Sequence, residues 1–391
     1  MYIELFLLDN FVMDCLMLRI AAALGARRLP ARRMLLASAL GACGAWAALF
    51  FPALMSLLGK AVSGLLFALA FPAKSLREYG HAAAAVFAAA FLTGCAEKEQ
   101  ASGTSFHMDT FVSLRAYGDG ARALIDACEK RLTELEKCLS ATIEGSDVSR
   151  LNSANGEWIS LGDDAFCVLK ASLEAAELTD GAFDLTVAAA MKAWDGMSGE
   201  TLPSEYELEK IRPLVDFREV ELDEERKMAR LGAGQSIDFG AIAKGYAADE
   251  LNALYNEYGC TGIIDLGGSI YAVGAREGSE PWRIAVQDPR GDGYKETLEL
   301  VSCAAVTSGD YQRFFERDGV RYHHIIDPKT LCPARSGIAS VTVIGKNSML
   351  ADAYATAMFV MGAAKAVEFA EKNAVCALII EDDGTEIWVN G

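Results

Sequence analysis

The chain has 391 residues and a formal net charge of −18, with 36 basic and 54 acidic residues. That length is sufficient for two or three domains. Residues 1–95 carry a net charge of +4, which leaves −22 for residues 96–391. So acidic a region is a poor candidate for binding nucleic acid through its phosphates. The ten cysteines include no Cys-x-x-Cys pair, and no histidine has zinc-ligand spacing to a cysteine pair, so a zinc site is not indicated. Seven cysteines, an odd number, follow Cys95, so a disulfide framework is not indicated either.

The first part of the chain, residues 1–95, is predicted to be an all-α, multi-pass membrane region. Its first two apolar runs are long enough to span a bilayer, and the last two are marginal. The loop between the first two runs contains four arginines, and the positive-inside rule places such a loop in the cytoplasm. Four passes then put the rest of the chain on the extracytoplasmic side of the cell membrane. The runs are residues 2–24, 34–58, 61–73 and 82–94.

This region ends in Leu92-Thr93-Gly94-Cys95, which has the pattern of a lipobox, where the cysteine receives a lipid. The alternative is the end of a helix rich in small residues that happens to contain a cysteine. Either interpretation leaves the following domain tethered outside the membrane. Residues 96–105 are small and polar, which predicts a linker.

The remainder, residues 106–391, is predicted to be an α+β domain with largely antiparallel sheets and flanking helices, because strands outnumber helices and connections of hairpin length are common. Apolar periodicity predicts the helices, and alternation predicts the strands. The predicted helices are 118–139, 163–178, 242–258, one around Asp352 and 363–373. The predicted strands are 107–116, a hairpin over 230–238, then 261–266, 269–275, 282–287, 297–301, 322–326, 338–344 and a closing pair.

Asp352 and Thr356 stand four residues apart in an alanine-rich segment that should be helical, so both side chains lie on one helix face. A carboxylate and a hydroxyl aimed the same way suit a hard cation such as Mg²⁺, which prefers oxygen ligands. The alternative is an aspartate that starts a helix and a threonine that bonds back to the preceding turn.

Several blocks of residues 106–390 together resemble the ApbE family of FAD:protein FMN transferases, in the family's order. The blocks are Ser149-Arg150-Leu151-Asn152, Gly181-Ala182-Phe183-Asp184-Leu185-Thr186, Asp238-Phe239-Gly240-Ala241-Ile242-Ala243-Lys244-Gly245-Tyr246, Asp265-Leu266-Gly267-Gly268, Thr307-Ser308-Gly309-Asp310-Tyr311, His324-Ile325-Ile326-Asp327-Pro328 and Ala351-Asp352-Ala353-Tyr354-Ala355-Thr356-Ala357.

The resemblance implies an ApbE-like fold and a Mg²⁺-dependent enzyme that cleaves FAD and joins the FMN half to a Thr or Ser hydroxyl of an acceptor protein. It implies that Mg²⁺ is held by Asp352, by Thr356 and by the carbonyl of Ala241. His324 is expected to be the general base, and Asp352 is expected to be catalytic through the metal. The residues expected to contact FAD are Met108, Ala182, Phe183, Asp184, Asp238, Lys244 and Ile326.

Simpler structural roles stay open for some of these residues. Phe183 could belong to the core, Lys244 could be solvated beside packing glycines, and His324 could hold a loop. The segment Thr307–Asp310 could line the site or merely turn the chain. The family's first strand usually carries Met-Gly-Thr, whereas this sequence has Asp109 after Met108, which adds a negative charge where FAD is expected to pass.

The first 94 residues also resemble the membrane half of the sporulation sigma-E factor processing peptidase family. That resemblance rests on residues 9–14, the arginine-rich loop and residues 74–77, and the protease half of that family does not follow. For the chain as a whole, transfer of FMN to an extracytoplasmic acceptor protein is the leading expectation. The alternatives are an FAD pyrophosphatase that gives FMN and AMP, and a flavin-binding lipoprotein without turnover.

Overall fold

A computed structural model describes residues 100–194 and 202–391. The predicted membrane region, the lipobox and residues 96–99 of the predicted linker lie outside these residues. Within the described part, no helix is long and apolar enough to cross a membrane. The helices are α1 (Ala121–Leu139), α2 (Asp147–Ser153), α3 (Asp163–Leu178), α4 (Ala188–Trp194), α5 (Glu205–Ile211), α6 (Ala243–Glu257), α7 (Ser348–Met361) and α8 (Ala363–Lys372).

The strands outnumber these helices and are mostly short, as the sequence predicts. They are β1 (Gln100–His107), β2 (Thr110–Tyr117), β3 (Ile159–Ser160), β4 (Glu221–Asp223), β5 (Met228–Arg230), β6 (Thr261–Leu266), β7 (Ser269–Val273), β8 (Trp282–Gln287), β9 (Tyr294–Leu300), β10 (Cys303–Gly309), β11 (Phe314–Arg317), β12 (Val320–His323), β13 (Ile326–Asp327), β14 (Cys332–Pro333), β15 (Ile338–Gly345), β16 (Cys376–Glu381) and β17 (Glu386–Val389).

Eight of the described strands form one sheet in the order β1-β2-β6-β7-β10-β15-β16-β17, and every neighbouring pair in it is antiparallel. Strand β10 lies near the middle, and the alternation of its side chains separates two cores. Ala304 and Val306 face the larger core with the buried sides of α1, α3, α6 and α7. Ala305 faces a smaller core, which β8 and β9 cover. The predicted α+β class with antiparallel sheets is therefore confirmed.

Helix α1 shows why the sequence predicts the helices well. Its predicted apolar stripe is buried from Ala121 to Leu135, because residues three and four apart share one helix face. Helix α3 has the predicted bounds, Asp163–Leu178. Gly181 follows it with φ of 70° and donates its N–H to the carbonyl of Ala176 at 2.9 Å, as glycines beyond a helix end do.

Three of the predicted elements are wrong in detail. Residues 100–105 of the predicted linker belong to β1, which pairs with β2 along its whole length. The predicted strand 107–116 is therefore two strands joined by a turn at Met108 and Asp109. The predicted hairpin over 230–238 does not form: β5 ends at Arg230 and pairs with β3 and β4 instead. The segment from 231 to 242 contains no strand. Its backbone groups form hydrogen bonds with distant groups such as the Asn152 side chain, or close local turns.

Candidate active site

The centre of the candidate site is the place where the start of α6 crosses α7. Gly245 makes the crossing possible, because a Cβ atom at this position would lie 2.2 Å from the carbonyl oxygen of Ser348 and 2.7 Å from Cα of Met349. The Gly245 N–H donates to Oδ2 of Asp352 at 2.9 Å. The helix crossing therefore places the Asp352 carboxylate against the first turn of α6.

Asp352 is a buried carboxylate, with 2% of its surface exposed. Nζ of Lys244 lies 3.9 Å from Oδ2 of Asp352 and donates to the carbonyl of Gly240 at 2.8 Å. A buried carboxylate is stable only when hydrogen bonds or opposite charges compensate it. The backbone N–H of Gly245 and the ammonium of Lys244 supply that compensation here.

Thr356 lies one turn further along α7, and its hydroxyl is 3.0 Å from the hydroxyl of Ser308 on β10. Of the segment Thr307–Asp310, Ser308 therefore faces the candidate site. Thr307 points to the opposite face of the sheet, where its hydroxyl lies 2.8 Å from that of Thr342. Asp310 accepts two hydrogen bonds from Arg290, at 2.7 and 2.8 Å, so it anchors the loop between β8 and β9.

The segment from Asp238 to Ile242 forms a compact turn in front of α6. Oδ1 of Asp238 accepts the N–H of Gly240 at 2.6 Å, and the N–H groups of Ile242 and Ala243 donate to the carbonyl of Phe239. This turn sets the position of Ala241, which is half-buried. The carbonyl of Ala241 is thereby held on the same turn whose next residues include Lys244.

A second segment lies alongside this turn. The N–H of Asp238 donates to the carbonyl of Leu185 at 3.0 Å, so residues 182–186 run beside it. Asn152, the last residue of the Ser149–Asn152 block, bonds both backbone groups of Ile237, at 2.8 and 2.9 Å. That block therefore has a structural purpose, which is to hold the chain that leads into Asp238.

Within the segment 182–186, the side chains are well accounted for by the fold. Phe183 is buried in the larger core. Oδ1 of Asp184 accepts hydrogen bonds from the N–H and the hydroxyl of Thr186, and Oδ2 accepts the N–H of Phe217 at 3.1 Å. Burial raises the pKa of Asp184, and these hydrogen bonds act against the rise. Contact of Ala182, Phe183 and Asp184 with FAD stays a prediction.

His324 lies at the end of the β11–β12 hairpin. Its backbone N–H donates to the carbonyl of Arg313 at 3.1 Å, and its Nδ1 is 3.3 Å from the same oxygen. A carbonyl only accepts, so Nδ1 carries the proton and Nε2 is left as the basic nitrogen. Burial of the ring and the nearby charge of Lys244 lower the pKa of His324 to about 4. His324 is therefore neutral at pH 7, as a general base must be.

Its neighbour His323 points the other way, as strand alternation predicts. His323 is buried, and its Nε2 lies 2.8 Å from the carbonyl of Ala334. Ile326, two residues beyond His324, packs in a separate small core with Trp194 and Leu331. Contact between the backbone of Ile326 and FAD stays a prediction.

Met108 occupies the turn between β1 and β2, where it has φ of 51° and Asp109 has φ of 57°. The N–H of Met108 donates to Oε1 of Glu136 at 2.7 Å. A guanidinium nitrogen of Arg313 donates to the carbonyl of Asp109 at 2.5 Å. Because Arg313 also contacts His324, the turn and the histidine are held by one residue.

The donor set at α6 and α7 suits a hard divalent cation. It comprises the carboxylate of Asp352, the hydroxyl of Thr356 and the carbonyl of Ala241, which are all oxygen ligands of the kind that Mg²⁺ binds. In residues 100–194 and 202–391, no cluster of three or more Asp, Glu, His and Cys side chains has the arrangement of a metal site. A single carboxylate matches the Mg²⁺ sites in which substrate phosphates complete the coordination.

The structure thus brings Asp352 and Lys244 together, with Thr356 one turn further along α7 and the Ala241 turn directly before Lys244. The charge of Lys244 lowers the pKa of His324. Sequence reasoning did not assign Gly245, Ser308 or Arg313 individual roles. Gly245 and Ser308 lie inside the blocks that resemble the family. Arg313 lies outside every block, and its two contacts join residues that are far apart in sequence.

Comparisons with known proteins show the family of the chain. Residues 108–380 match the family model described as the ApbE family, and residues 1–101 match the model described as sporulation factor SpoIIGA. A FAD:protein FMN transferase of Treponema pallidum is 34% identical over 319 residues, covering 75% of this chain and 85% of that protein. A protein of the same name from Vibrio cholerae is 32% identical, covering 68% of this chain and 81% of that protein.

Solved structures give the same result for the fold. The crystal structure of the ApbE protein of Thermotoga maritima superimposes with a TM-score of 0.71 at 34% identity, covering 74% of this chain and 97% of that one. The apo form of the flavinyl transferase ApbE of Pseudomonas stutzeri gives a TM-score of 0.69 at 28% identity, covering 76% and 96%. The described part of the chain therefore has the same fold as these proteins.

Proposed function

Because the chain belongs to the ApbE family, we propose that it is an FAD:protein FMN transferase. The acceptor is a Thr or Ser hydroxyl of another protein, the bond formed is a phosphoester to FMN, and the other product is AMP. The observation that carries the proposal is the buried Asp352 carboxylate, held by Gly245 and beside Lys244, with Thr356 one turn away. With a divalent cation on the Asp352 carboxylate and Lys244 beside it, such a site would compensate the negative charge of an anhydride of two phosphates.

In the proposed reaction, the acceptor oxygen attacks the phosphorus of the FMN half of FAD. The bond between that phosphorus and the oxygen of the AMP phosphate breaks, and AMP leaves with the bonding electrons. Nε2 of His324 takes the proton of the acceptor hydroxyl. The neutral state of the ring and the proton on Nδ1 prepare His324 for this step. Phosphoryl transfer needs little else from the protein beyond alignment and charge stabilisation.

The residues at α6 and α7 supply the charge stabilisation. Mg²⁺ would be held by Asp352, Thr356 and the carbonyl of Ala241, where it would neutralise charge on the phosphate oxygens. The ammonium of Lys244 lies beside Asp352. It would release the Gly240 carbonyl and bind a phosphate oxygen instead. The Gly245 N–H in the first turn of α6 already binds the Asp352 carboxylate, and the positive end of the helix dipole at this turn favours an anion.

The remaining predicted contacts would hold FAD on either side of this centre. Asp238 and the segment Ala182–Asp184 lie next to one another and in front of α6. Met108 lies on the turn that Arg313 joins to His324, and Ile326 follows His324 by two residues. The proposed FAD site therefore runs from the β1–β2 turn to the segment beside Asp238.

An FAD pyrophosphatase would use the same site with water in place of the acceptor hydroxyl. His324 would activate water as well as an acceptor hydroxyl, so the residues of the site do not separate the two activities. The products do separate them. A flavin-binding lipoprotein without turnover would not need the neutral His324 beside Lys244. We favour transfer because the relatives described above carry that name.

We further propose that the enzyme acts outside the cytoplasmic membrane, with a membrane region in residues 1–95 and an extracytoplasmic acceptor protein. The match of residues 1–101 to the SpoIIGA model and the arginine-rich loop between apolar runs support a membrane attachment. External protease added to intact cells is expected to digest the catalytic domain. Complete protection of the domain would place it in the cytoplasm instead.

The test of the activity uses the purified full-length chain with FAD, Mg²⁺ and a protein substrate of one of the transferases above. We expect release of AMP and a covalently flavinylated acceptor, seen as in-gel fluorescence of the denatured protein. AMP and FMN without a labelled acceptor would identify a pyrophosphatase. If the wild-type protein binds FAD but releases no AMP, the result would support a flavin-binding lipoprotein without turnover.

A further inference from the structure

The turn between β1 and β2 has an unfavourable backbone. His107 pairs with Thr110, so Met108 and Asp109 are the two central residues of a two-residue hairpin loop. Both have positive φ, 51° and 57°, a conformation that favours Gly, Asn and Asp, so Met108 is the disfavoured residue of the two. Strained backbone of this kind persists where the surrounding structure holds it, and it concentrates at functional sites.

Two distant side chains hold this turn. On one side, Oε1 of Glu136 accepts the N–H of Met108, and the same carboxylate lies 3.2 Å from Nδ1 of His107. On the other side, the guanidinium of Arg313 donates to the carbonyl of Asp109. Hydrogen bonds that involve a charged group are stronger than neutral ones. The contact of Glu136 is partly buried, whereas the contact of Arg313 is exposed to solvent, which weakens it.

Arg313 differs from Glu136 because it reaches a second functional group. Its own carbonyl accepts the backbone N–H of His324 at 3.1 Å and lies 3.3 Å from Nδ1 of the ring. That carbonyl thereby fixes the ring and its tautomer. One residue thus contacts the turn through its side chain and the proposed base through its backbone.

We propose that Arg313 is a positioning residue that fixes the Met108–Asp109 turn relative to His324, and so sets the distance between bound FAD and the base. The proposal rests on the proposed function, in which Met108 contacts FAD and His324 takes the proton. The guanidinium keeps the turn in its positive-φ conformation while FAD is absent. FAD then binds a preformed site and does not have to order the turn itself.

The experiment compares Arg313→Ala and Arg313→Lys in the full-length chain, with Arg317→Ala as the matched control on the same hairpin. Arg317 pairs with the adjacent Asp318 at 3.7 Å. FAD affinity is measured from the quenching of flavin fluorescence, and kcat and KM are measured from AMP release. Thermal unfolding is recorded for each variant.

For Arg313→Ala we expect the Kd and the KM for FAD to rise about tenfold, the low end of what a hydrogen bond from a charged group contributes. The pH dependence of kcat should stay as in the wild type, because the carbonyl that holds His324 is retained. Arg313→Lys should recover part of the affinity, and Arg317→Ala should leave it unchanged. An unchanged Kd in Arg313→Ala, or an equal loss in Arg317→Ala, would overturn the proposal.

A double-mutant cycle with Asp109→Gly tests the reason for the effect. Glycine adopts positive φ without strain, so a turn with Gly at this position needs the anchor less. Removing Arg313 should therefore weaken FAD binding by less in the Asp109→Gly background than in the wild type. The binding free-energy changes of the two single variants should not sum to that of the double variant. Equal losses in the two backgrounds would show that Arg313 does not act through the turn.

These outcomes separate the inference from the proposed function. If the wild type releases AMP and Arg313→Ala binds FAD normally, the inference fails and the proposed function stands. If the wild type binds FAD without releasing AMP, the proposed transferase fails, and the Kd comparison still decides whether Arg313 holds the turn. A wild-type chain that does not bind FAD overturns both.

Discussion

The crossing of α6 and α7 at Gly245 gives the sharpest test of the proposed site, through the substitution Gly245→Ala. A Cβ atom there would lie 2.2 Å from the carbonyl oxygen of Ser348, whereas real Cβ contacts are essentially never shorter than 3.0 Å. The helices must therefore separate locally by about 0.8 Å or more. The same shift applied to the bond between Gly245 and Asp352 lengthens it from 2.9 Å to about 3.7 Å, beyond hydrogen-bond range.

Two effects of different size follow from that displacement. Overpacking of this kind lowers the free energy of unfolding by about 1–3 kcal/mol. Misplacement of a catalytic group by about 1 Å lowers the rate by about 100-fold. We therefore expect Gly245→Ala to fold at assay temperature, with a reduced Tm, and to lose about 100-fold in kcat/KM for AMP release.

The matched control is Gly345→Ala, at the end of β15. Nothing lies within 4 Å of a Cβ atom at this position, so the substitution should change neither the Tm nor the activity appreciably. Both variants are assayed well below their Tm, so that loss of folded protein does not contribute. Wild-type kcat/KM in Gly245→Ala would show that the spacing of α6 and α7 does not set the position of the reacting groups.

The remaining predictions concern the charges and hydroxyls of the site. Asp352→Asn should abolish the stimulation by Mg²⁺ and lower kcat/KM by at least about 100-fold, measured by titrating the metal; retained stimulation would refute the metal assignment. Thr356→Val should weaken Mg²⁺ activation, and Thr356→Ser should restore it; equal behaviour of the two would exclude the hydroxyl as a ligand. The wild-type kcat/KM should fall as the pH drops through about 4, where His324 is protonated. In Lys244→Met the midpoint of this fall in kcat/KM should move toward higher pH, because the charge that helps to lower the pKa of His324 is gone. An unmoved midpoint would refute the assignment of the low-pH fall to His324. Burial raises the pKa of Asp249 to about 6, so this group stabilises the fold below pH 4 and loses that contribution as the pH rises through 6. The Tm cost of Asp249→Asn should therefore be larger at pH 4 than at pH 7, and a constant cost would contradict the raised pKa.

The sequence predicts those parts of the fold in which neighbouring residues decide the structure. The stripe of α1 and the bounds of α3 follow from local periodicity and a glycine beyond the helix end. The sequence does not predict the β1–β2 turn, because Met108, its first central residue, rarely adopts positive φ. Its conformation is held by Glu136 and Arg313, which are 28 and 204 residues away from their partners, and no local pattern reports such contacts.

The same distinction applies to the site. The spacing of Asp352 and Thr356 identifies a common helix face, but it does not show what that face meets. The hairpin predicted over 230–238, around Gly232-Ala233-Gly234, does not form, because β5 ends at Arg230 and pairs with other strands. The backbone of Ile237 is in fact bonded by the side chain of Asn152, 85 residues earlier. The periodicity of a sequence does not report hydrogen bonds between a side chain and a distant backbone group.

The segment Thr307–Asp310 illustrates how one short stretch of strand serves three parts of the molecule. Its side chains alternate between the faces of β10, so Ser308 meets Thr356 while Thr307 meets Thr342 on the opposite face. Asp310, at the end of the strand, holds the β8–β9 loop through Arg290. The two interpretations of this segment, a site lining and a structural turn, are therefore compatible, because each applies to different residues of it. A hydroxyl at Ser308 is expected to matter for activity, whereas the carboxylate of Asp310 is expected to matter for stability.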